Sequence, residues 1–142
     1  MNIDSIKNGY VIDHIKAGNG MKIYNYLNLD ELSCAVAIIK NVKSNKSGKK
    51  DIIKIDEDIN LDIDALGFID PDITINIVKE SIIVKKYHPE LPLKITNVVK
   101  CKNPRCITSI EQELDQIFEL RDKENRVYRC KYCESKATNL EI

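Results

Sequence analysis

The chain contains 142 residues, of which 43% are hydrophobic and 31% are charged, a composition ordinary for a globular protein. This length is enough for one medium domain or two small ones. Its 22 basic and 22 acidic side chains give no formal net charge, which argues against a chain built mainly to grip nucleic acid, because such chains carry a basic surplus.

The first part of the chain, up to residue 95, is rich in isoleucine, valine and lysine. Apolar, β-branched segments predict strands at residues 10–16, 33–40, 51–56, 73–78 and 81–86. Apolar side chains at helical spacing predict helices at residues 21–29 and 61–69. Asn60 is placed to cap the second helix and Pro71 to end it. Lys79 and Glu80 are expected to join the last two strands as a hairpin.

This order of elements, β-α-β-β-α-β followed by one further strand, is that of a ferredoxin-like sandwich. We therefore predict an α+β fold for residues 1–95, with an antiparallel sheet and two helices on one of its faces. Cys34 falls in an apolar strand, where we expect it to behave as a small buried hydrophobe.

The composition changes near residue 96, after a stretch at residues 87–92 that contains two prolines and is typical of an extended linker. Strands are predicted at residues 94–100, 113–121 and 126–130. A segment of about 50 residues is too small to rely on a hydrophobic core alone. We therefore predict a second domain, residues 96–142, that is a small β domain held together by a metal.

The metal ligands are four cysteines in two pairs, Cys101 with Cys106 and Cys130 with Cys133. Two pairs, each on a tight turn, converge naturally on one tetrahedral Zn²⁺. Two disulfides would need an oxidising compartment, and iron–sulfur clusters use other spacings. Catalytic zinc keeps an open coordination position, whereas four thiolates leave none. The sequence therefore predicts one structural zinc ion per chain.

The compartment is inferred from the same cysteines and from the absence of targeting signals. The first residues show no basic segment followed by an apolar one, and no apolar run approaches the ~18 residues of a membrane-spanning helix. We therefore expect a cytoplasmic protein.

One face of the predicted sheet carries an unusual number of polar side chains. Strand alternation places Asp13 with Val11 and Ile15 on one side of the first strand, and Ile12 with His14 on the other. The same alternation places Lys50 and Lys54 together on the third strand. Lysines bind phosphates as point charges.

Further polar residues of the predicted sheet are Asn76 and Lys86. Together with Asp13 and Lys54 they suggest a ligand site, in which a carboxylate accepts from ribose hydroxyls and an amide orients a polar group. The alternative is that these residues simply lie on the solvent-exposed face of an antiparallel sheet and bind nothing. His88, next to Pro89 in the linker, is expected to be merely solvated.

Several segments carry a resemblance to a known family. They are Val11-Ile12-Asp13-His14-Ile15, residues 48–55 (GKKDIIKI), Thr74-Ile75-Asn76, Leu91-Pro92 and Cys130-Lys131-Tyr132-Cys133-Glu134. In this order, and with the other two cysteines, they resemble the regulatory chain of aspartate carbamoyltransferase. The resemblance implies a non-catalytic subunit of pyrimidine biosynthesis. Its N-terminal domain would bind ATP and CTP at one allosteric site and pair with a second copy, while its zinc domain would hold the catalytic chain.

The resemblance also implies roles for individual residues. Asp13 and Lys54 match positions that contact ribose and base, and His14 and Lys86 match phosphate contacts, with Lys50 as a further contributor. The remaining matched positions are Asn76 lining the site, Ile3, Asp4, Ser5 and Ile6 reading the base through their backbone, Val78 and Ile83 as apolar walls, and Asn103 at the catalytic chain.

Two rival classes remain at this point. A zinc-ribbon protein that binds nucleic acid would need a basic face near the cysteines, but acidic residues between Glu111 and Glu124 interrupt the arginines of that region. A free-standing nucleotide sensor would share the first domain but lack a catalytic partner.

Overall fold

The computed structural model describes residues 6–45, 48–111 and 113–137. The chain forms two compact units, Met1–Glu90 and Leu91–Ile142. The division between them thus falls at Glu90, a few residues before the boundary that the composition indicated. Within the described ranges, no helix has the length and apolar character needed to cross a membrane.

The first unit is a five-stranded antiparallel sheet with two helices. Its strands are β1 (Gly9–Lys16), β2 (Val36–Ser44), β3 (Gly48–Ile55), β4 (Thr74–Lys79) and β5 (Ile82–Tyr87). The helices are α1 (Gly20–Tyr26) and α2 (Ile63–Ile69), and a 3₁₀ turn covers Leu29–Glu31. The sheet order is β2-β3-β1-β4-β5, and α1 contacts both β3 and α2. The predicted ferredoxin-like fold is confirmed, with β5 as the additional strand at one edge.

The core of this unit is built from isoleucines on the helix side of the sheet. Ile12 is paired with Ile53 on one side and with Ile75 on the other, and all three are fully buried. The helices add Ile23 and Leu66, also fully buried. Because β-branched residues pack well on a pleated surface, this pattern explains both the strands and their register.

Strand β1 contains a bulge that changes which residues share a face. The pairing of β1 with β3 shifts register between Ile12 and Ile15, and His14 has a left-handed backbone with φ of 58°. Ile12 and Ile15 are therefore both fully buried although they are three residues apart. The prediction that Ile12 and His14 share a face is wrong, because the extra residue turns His14 to the side of Asp13.

Three local predictions in the first unit are wrong in detail. Asp62, not Asn60, caps α2, and its carboxylate accepts a 3.1 Å hydrogen bond from the N–H of Ala65. The β4–β5 turn is centred on Glu80 and Ser81, both with positive φ, as a two-residue hairpin requires. Cys34 lies before β2 in a bend and is half-buried, because β2 begins only at Val36.

The second unit is a three-stranded antiparallel sheet of order β6-β7-β8 with one short helix. Its elements are β6 (Lys94–Thr96), α3 (Ile107–Ile110), β7 (Ile117–Asp122) and β8 (Val127–Cys130). Phe118 and Tyr128 are its large buried side chains, and the hydroxyl of Tyr128 donates to the backbone oxygen of Pro92. The strand predicted at residues 94–100 ends early, at Thr96, because Asn97 has a left-handed backbone with φ of 58°, and β7 begins only at Ile117.

A four-cysteine centre and a polar sheet face

The four predicted cysteines come together in the second unit. The Sγ atoms of Cys101 and Cys133 are 3.5 Å apart, those of Cys106 and Cys130 are 3.7 Å apart, and all four lie within 4.8 Å of one another. All are free thiols. Tetrahedral coordination with Zn–S bonds of about 2.3 Å places sulfurs about 3.8 Å apart. The cluster therefore has the geometry of a four-thiolate metal site.

The surrounding backbone and a glutamine hold the first cysteine pair. The N–H of Cys101 donates to Oε1 of Gln116 at 2.9 Å, and Nε2 of Gln116 reaches the carbonyl of Thr108 at 3.4 Å. Asn103 shapes the turn, because its Oδ1 accepts from the N–H of Arg105 and its carbonyl accepts from that of Cys106. Gln116, directly before β7, thus ties the first pair to the sheet. This role was not predicted, because nothing in the local sequence marks it.

Metal-free thiols in this cluster have displaced pKa values. Burial raises the pKa of Cys101 to about 12 and also raises that of Cys130. Burial opposes ionisation of Cys133 as well, but hydrogen bonds from the hydroxyl and backbone of Ser135 outweigh it and lower the pKa to about 6. Ionisation of Cys101 and Cys130 is therefore unfavourable until a cation shares the site.

The polar face of the first unit is the sheet face that carries Asp13, Lys54, Asn76 and Lys86. Three of these residues lie in one row across four strands, because Val11 pairs with Lys54 on one side and with Asn76 on the other, and Asn76 pairs with Lys86. Asp13 follows two residues along β1 and pairs with Thr74. The structure thus brings together the polar residues that alternation predicted.

Asn76 is the most buried member of this row, with 6% of its surface exposed. Its Nδ2 donates to the carbonyl of Val11 at 3.2 Å, while its buried Oδ1 meets no hydrogen-bond partner in the part of the chain that the structure describes. A buried acceptor without a donor costs free energy. Asn76 therefore offers an acceptor to whatever binds over the polar face.

Lys50 neutralises Asp13 at the edge of the row. Its Nζ lies 3.0 Å from Oδ1 of Asp13, which also accepts from the backbone N–H of His14. Although burial of the carboxyl opposes ionisation, these two hydrogen bonds lower the pKa of Asp13 below its ordinary value. Asp13 is therefore held as a carboxylate, able to accept hydrogen bonds.

A cavity of about 600 Å³ opens beside this edge. His14 lines it, together with Lys16, Lys49 and two aspartates, Asp70 and Asp72. Lys16 and Lys49 were not predicted as site residues; the lysine-rich run around Lys50 was the available signal for Lys49. The cavity presents mixed charge next to the polar face.

The predicted apolar residues are also placed. Ile6 and Val78 are buried, and Val78 pairs with Ile83, which is 57% exposed. The segment after Ile6 is fixed by Asp56, whose Oδ1 accepts from the N–H groups of Lys7 and Asn8. Ile3, Asp4 and Ser5 lie outside the described residues.

His88 is exposed, as predicted, but its ring also contacts the protein. Its Nδ1 lies 3.0 Å from the carbonyl oxygen of Ile73 and 3.4 Å from Oγ1 of Thr74. Sequence reasoning missed these contacts because they join residues on different elements.

Comparison with known proteins agrees with this geometry. Residues 1–90 match the family model described as aspartate carbamoyltransferase regulatory chain, allosteric domain, and residues 93–142 match the metal binding domain of the same chain. Proteins named aspartate carbamoyltransferase regulatory chain from Clostridium botulinum (strain Hall) and Clostridium tetani are each 56% identical. These matches cover 94% of this chain and, respectively, 92% and 94% of the relatives.

A more distant relative of the same name comes from Bifidobacterium longum, at 42% identity over 137 residues, which is 96% of this chain and 99% of the relative. Both family models and all three relatives describe a regulatory rather than a catalytic chain. The chain therefore belongs to the family of aspartate carbamoyltransferase regulatory chains.

Proposed function

We propose that this chain is the allosteric subunit that binds ATP and CTP over the polar face and, through a zinc-bound second unit, holds and modulates catalytic chains in pyrimidine biosynthesis. The observation that carries the proposal is the row of Lys54, Asn76 and Lys86 beside Asp13, because it gathers cations, an ionised carboxylate and an unsatisfied buried acceptor on one face.

Each group in the row fits one part of a nucleoside triphosphate. Lys86 and His14 supply cationic or N–H contacts for phosphates, with Lys54 and Lys50 adding positive charge nearby. Asp13, held ionised by Lys50, accepts from ribose hydroxyls. Oδ1 of Asn76 accepts a hydrogen bond from a donor of the ligand. The apolar wall of the site is formed by Ile6, Val78 and Ile83.

The metal of the second unit is, in this proposal, one structural Zn²⁺. Four thiolates at tetrahedral spacing are the ligand set that zinc prefers, and they leave no coordination position for substrate. Thiols that must remain reduced also support a cytoplasmic location.

The same unit exposes apolar side chains that suit a catalytic-chain interface. Ile107 and Ile110 on α3 are 49% and 69% exposed, and Leu114 and Tyr132, the latter between Cys130 and Cys133, are also exposed. Exposed apolar side chains close together on a small domain are typical of a protein contact. Asn103, in the turn between the first two cysteines, is expected at its margin.

Pairing with a second copy is the remaining part of the proposal. The sheet of the first unit has two edge strands, β2 and β5, and β5 exposes Ile82, Ile83 and Val84. Uncovered edges of this kind favour association. A homodimer through the first unit is therefore expected, and the molar mass of the zinc-loaded chain in light scattering tests it: a monomer at micromolar concentration contradicts it.

The nucleotide function is tested by calorimetry on the zinc-loaded full chain. ATP and CTP should each bind, and Lys86→Ala should weaken both about tenfold or more, since a charge-assisted hydrogen bond contributes about 1.5–3 kcal/mol. Lys85→Ala is the matched control, because Lys85 pairs with Ile77 on the opposite face and its Nζ lies over the ring of Tyr87. Equal losses in the two variants would contradict the assigned face.

A free-standing nucleotide sensor is separated from a regulatory subunit by a second experiment. Mixed with the catalytic chain of a close relative, the zinc-loaded protein should co-elute in gel filtration, and Ile110→Asp should abolish co-elution without changing ATP binding. Failure of the unmodified chain to co-elute would favour the sensor.

A further inference from the structure

Two imidazoles and one hydroxyl form a hydrogen-bonded chain at the end of the polar face. Oγ1 of Thr74 lies 3.1 Å from Nδ1 of His14 and 3.4 Å from Nδ1 of His88. Nδ1 of His88 is also 3.0 Å from the carbonyl oxygen of Ile73. Thr74 is only 1% exposed, so its hydroxyl depends on protein partners rather than on water.

The chemistry of these atoms limits where the protons lie: it requires a hydrogen on Nδ1 of His88 and allows Thr74 to donate to Nδ1 of His14. A carbonyl oxygen only accepts, so Nδ1 of His88 must carry a hydrogen in order to bond Ile73. The same N–H is shared with Oγ1 of Thr74, which therefore accepts on that side. A hydroxyl has one proton and two lone pairs, so Thr74 remains able to donate its proton to Nδ1 of His14.

We propose that Thr74 and His88 are positioning residues that hold neutral His14 as the Nε2–H tautomer. Nδ1 of His14 is then occupied as an acceptor, and Nε2–H is the ring's remaining donor, on a side chain that lines the 600 Å³ cavity. His88, in contrast, is held as the Nδ1–H tautomer. This inference rests on the proposed function in one respect, namely that His14 binds an anion.

The arrangement matters because an unconstrained neutral imidazole exchanges its proton between two nitrogens. A ring fixed in one tautomer and one orientation offers its donor without a further entropic cost at the moment of binding. The bulge at His14 contributes, since its left-handed backbone turns the ring to the Thr74 side of the sheet. Asp13 also faces the ring as a charged neighbour, with Oδ2 3.9 Å from Nδ1 of His14.

The tautomers are measured directly in the unliganded, zinc-loaded full chain by ¹⁵N NMR of the ring nitrogens. The sequence contains only two histidines, so the spectrum holds two imidazoles, and His88→Ala assigns them. At a pH of about 8.5, where an ordinary imidazole is neutral, we expect His88 as Nδ1–H and His14 as Nε2–H. His88 as Nε2–H, or His14 as Nδ1–H, would overturn the proposal.

Two variants of Thr74 then test the positioning role. Thr74→Val keeps the shape but removes the hydroxyl, and should move the His14 nitrogens toward a mixture of tautomers and weaken binding of inorganic triphosphate by about threefold to tenfold. Thr74→Ser keeps the hydroxyl and should restore both. A Val variant identical to the unmodified chain in both readouts would overturn the role.

Failure of the nucleotide function would look different. If the protein shows the two expected tautomers but binds neither ATP nor inorganic triphosphate, the hydrogen bonds among His14, Thr74 and His88 stand. Only the nucleotide assignment is then contradicted.

Discussion

At the scale of single residues, the ion pair of Lys50 and Asp13 keeps a carboxylate charged on the polar face. Because the pKa of Asp13 is lowered in the folded chain, its contribution to stability is present above the ordinary value of about 3.9 and is lost as the pH falls through the folded value. Lys50→Met should therefore raise the pKa of Asp13, seen in a ¹³C-carboxyl NMR titration, and its stability deficit should vanish in acid. Lys85→Met is the control, because Lys85 lies two strands away from Asp13. An unchanged pKa of Asp13 in Lys50→Met would contradict the assigned cause.

At the scale of elements, Asp62 joins the two helices of the first unit. Its Oδ1 caps α2 through the N–H of Ala65, and its Oδ2 accepts from the hydroxyl of Tyr26 in α1 at 3.0 Å. Burial and this carboxylate raise the pKa of Tyr26 to about 12. Asp62→Ala should cost about 1–2 kcal/mol in urea unfolding, whereas Asn60→Ala should stay within about 0.5 kcal/mol. A larger loss for Asn60→Ala would contradict the capping assignment.

The helices, strands and cysteine cluster were the features that the sequence predicted best. Apolar, β-branched segments predicted the strands, alternation along them predicted the polar face, and the spacing within each cysteine pair predicted the metal cluster, because each signal lies within a short stretch of sequence. The bulge at His14 was missed since no glycine or proline marks it. The contact of His88 with Thr74 was missed because it depends on tertiary structure.

At the scale of the whole molecule, we expect the second unit to depend on a bound metal. Phe118 and Tyr128 form a small core, so removal of zinc with a chelator should unfold this unit while the five-stranded sheet persists. Because the metal-free pKa of Cys101 is about 12 and that of Cys130 is raised, zinc uptake must release protons, and zinc affinity should rise with pH. Amide NMR signals and buffer-dependent heats of zinc binding measure the two effects; dispersed signals from the metal-free second unit would contradict the account.

The measurement that tests the central claim most directly is a competition between the two nucleotides on the zinc-loaded full chain. ATP is titrated calorimetrically into chain already saturated with CTP, and the apparent affinity for ATP is compared with that of the free chain. One shared site over Lys54, Asn76 and Lys86 predicts that the apparent affinity falls in proportion to the CTP concentration. An ATP affinity that CTP leaves unchanged would show that the two nucleotides do not share the polar face.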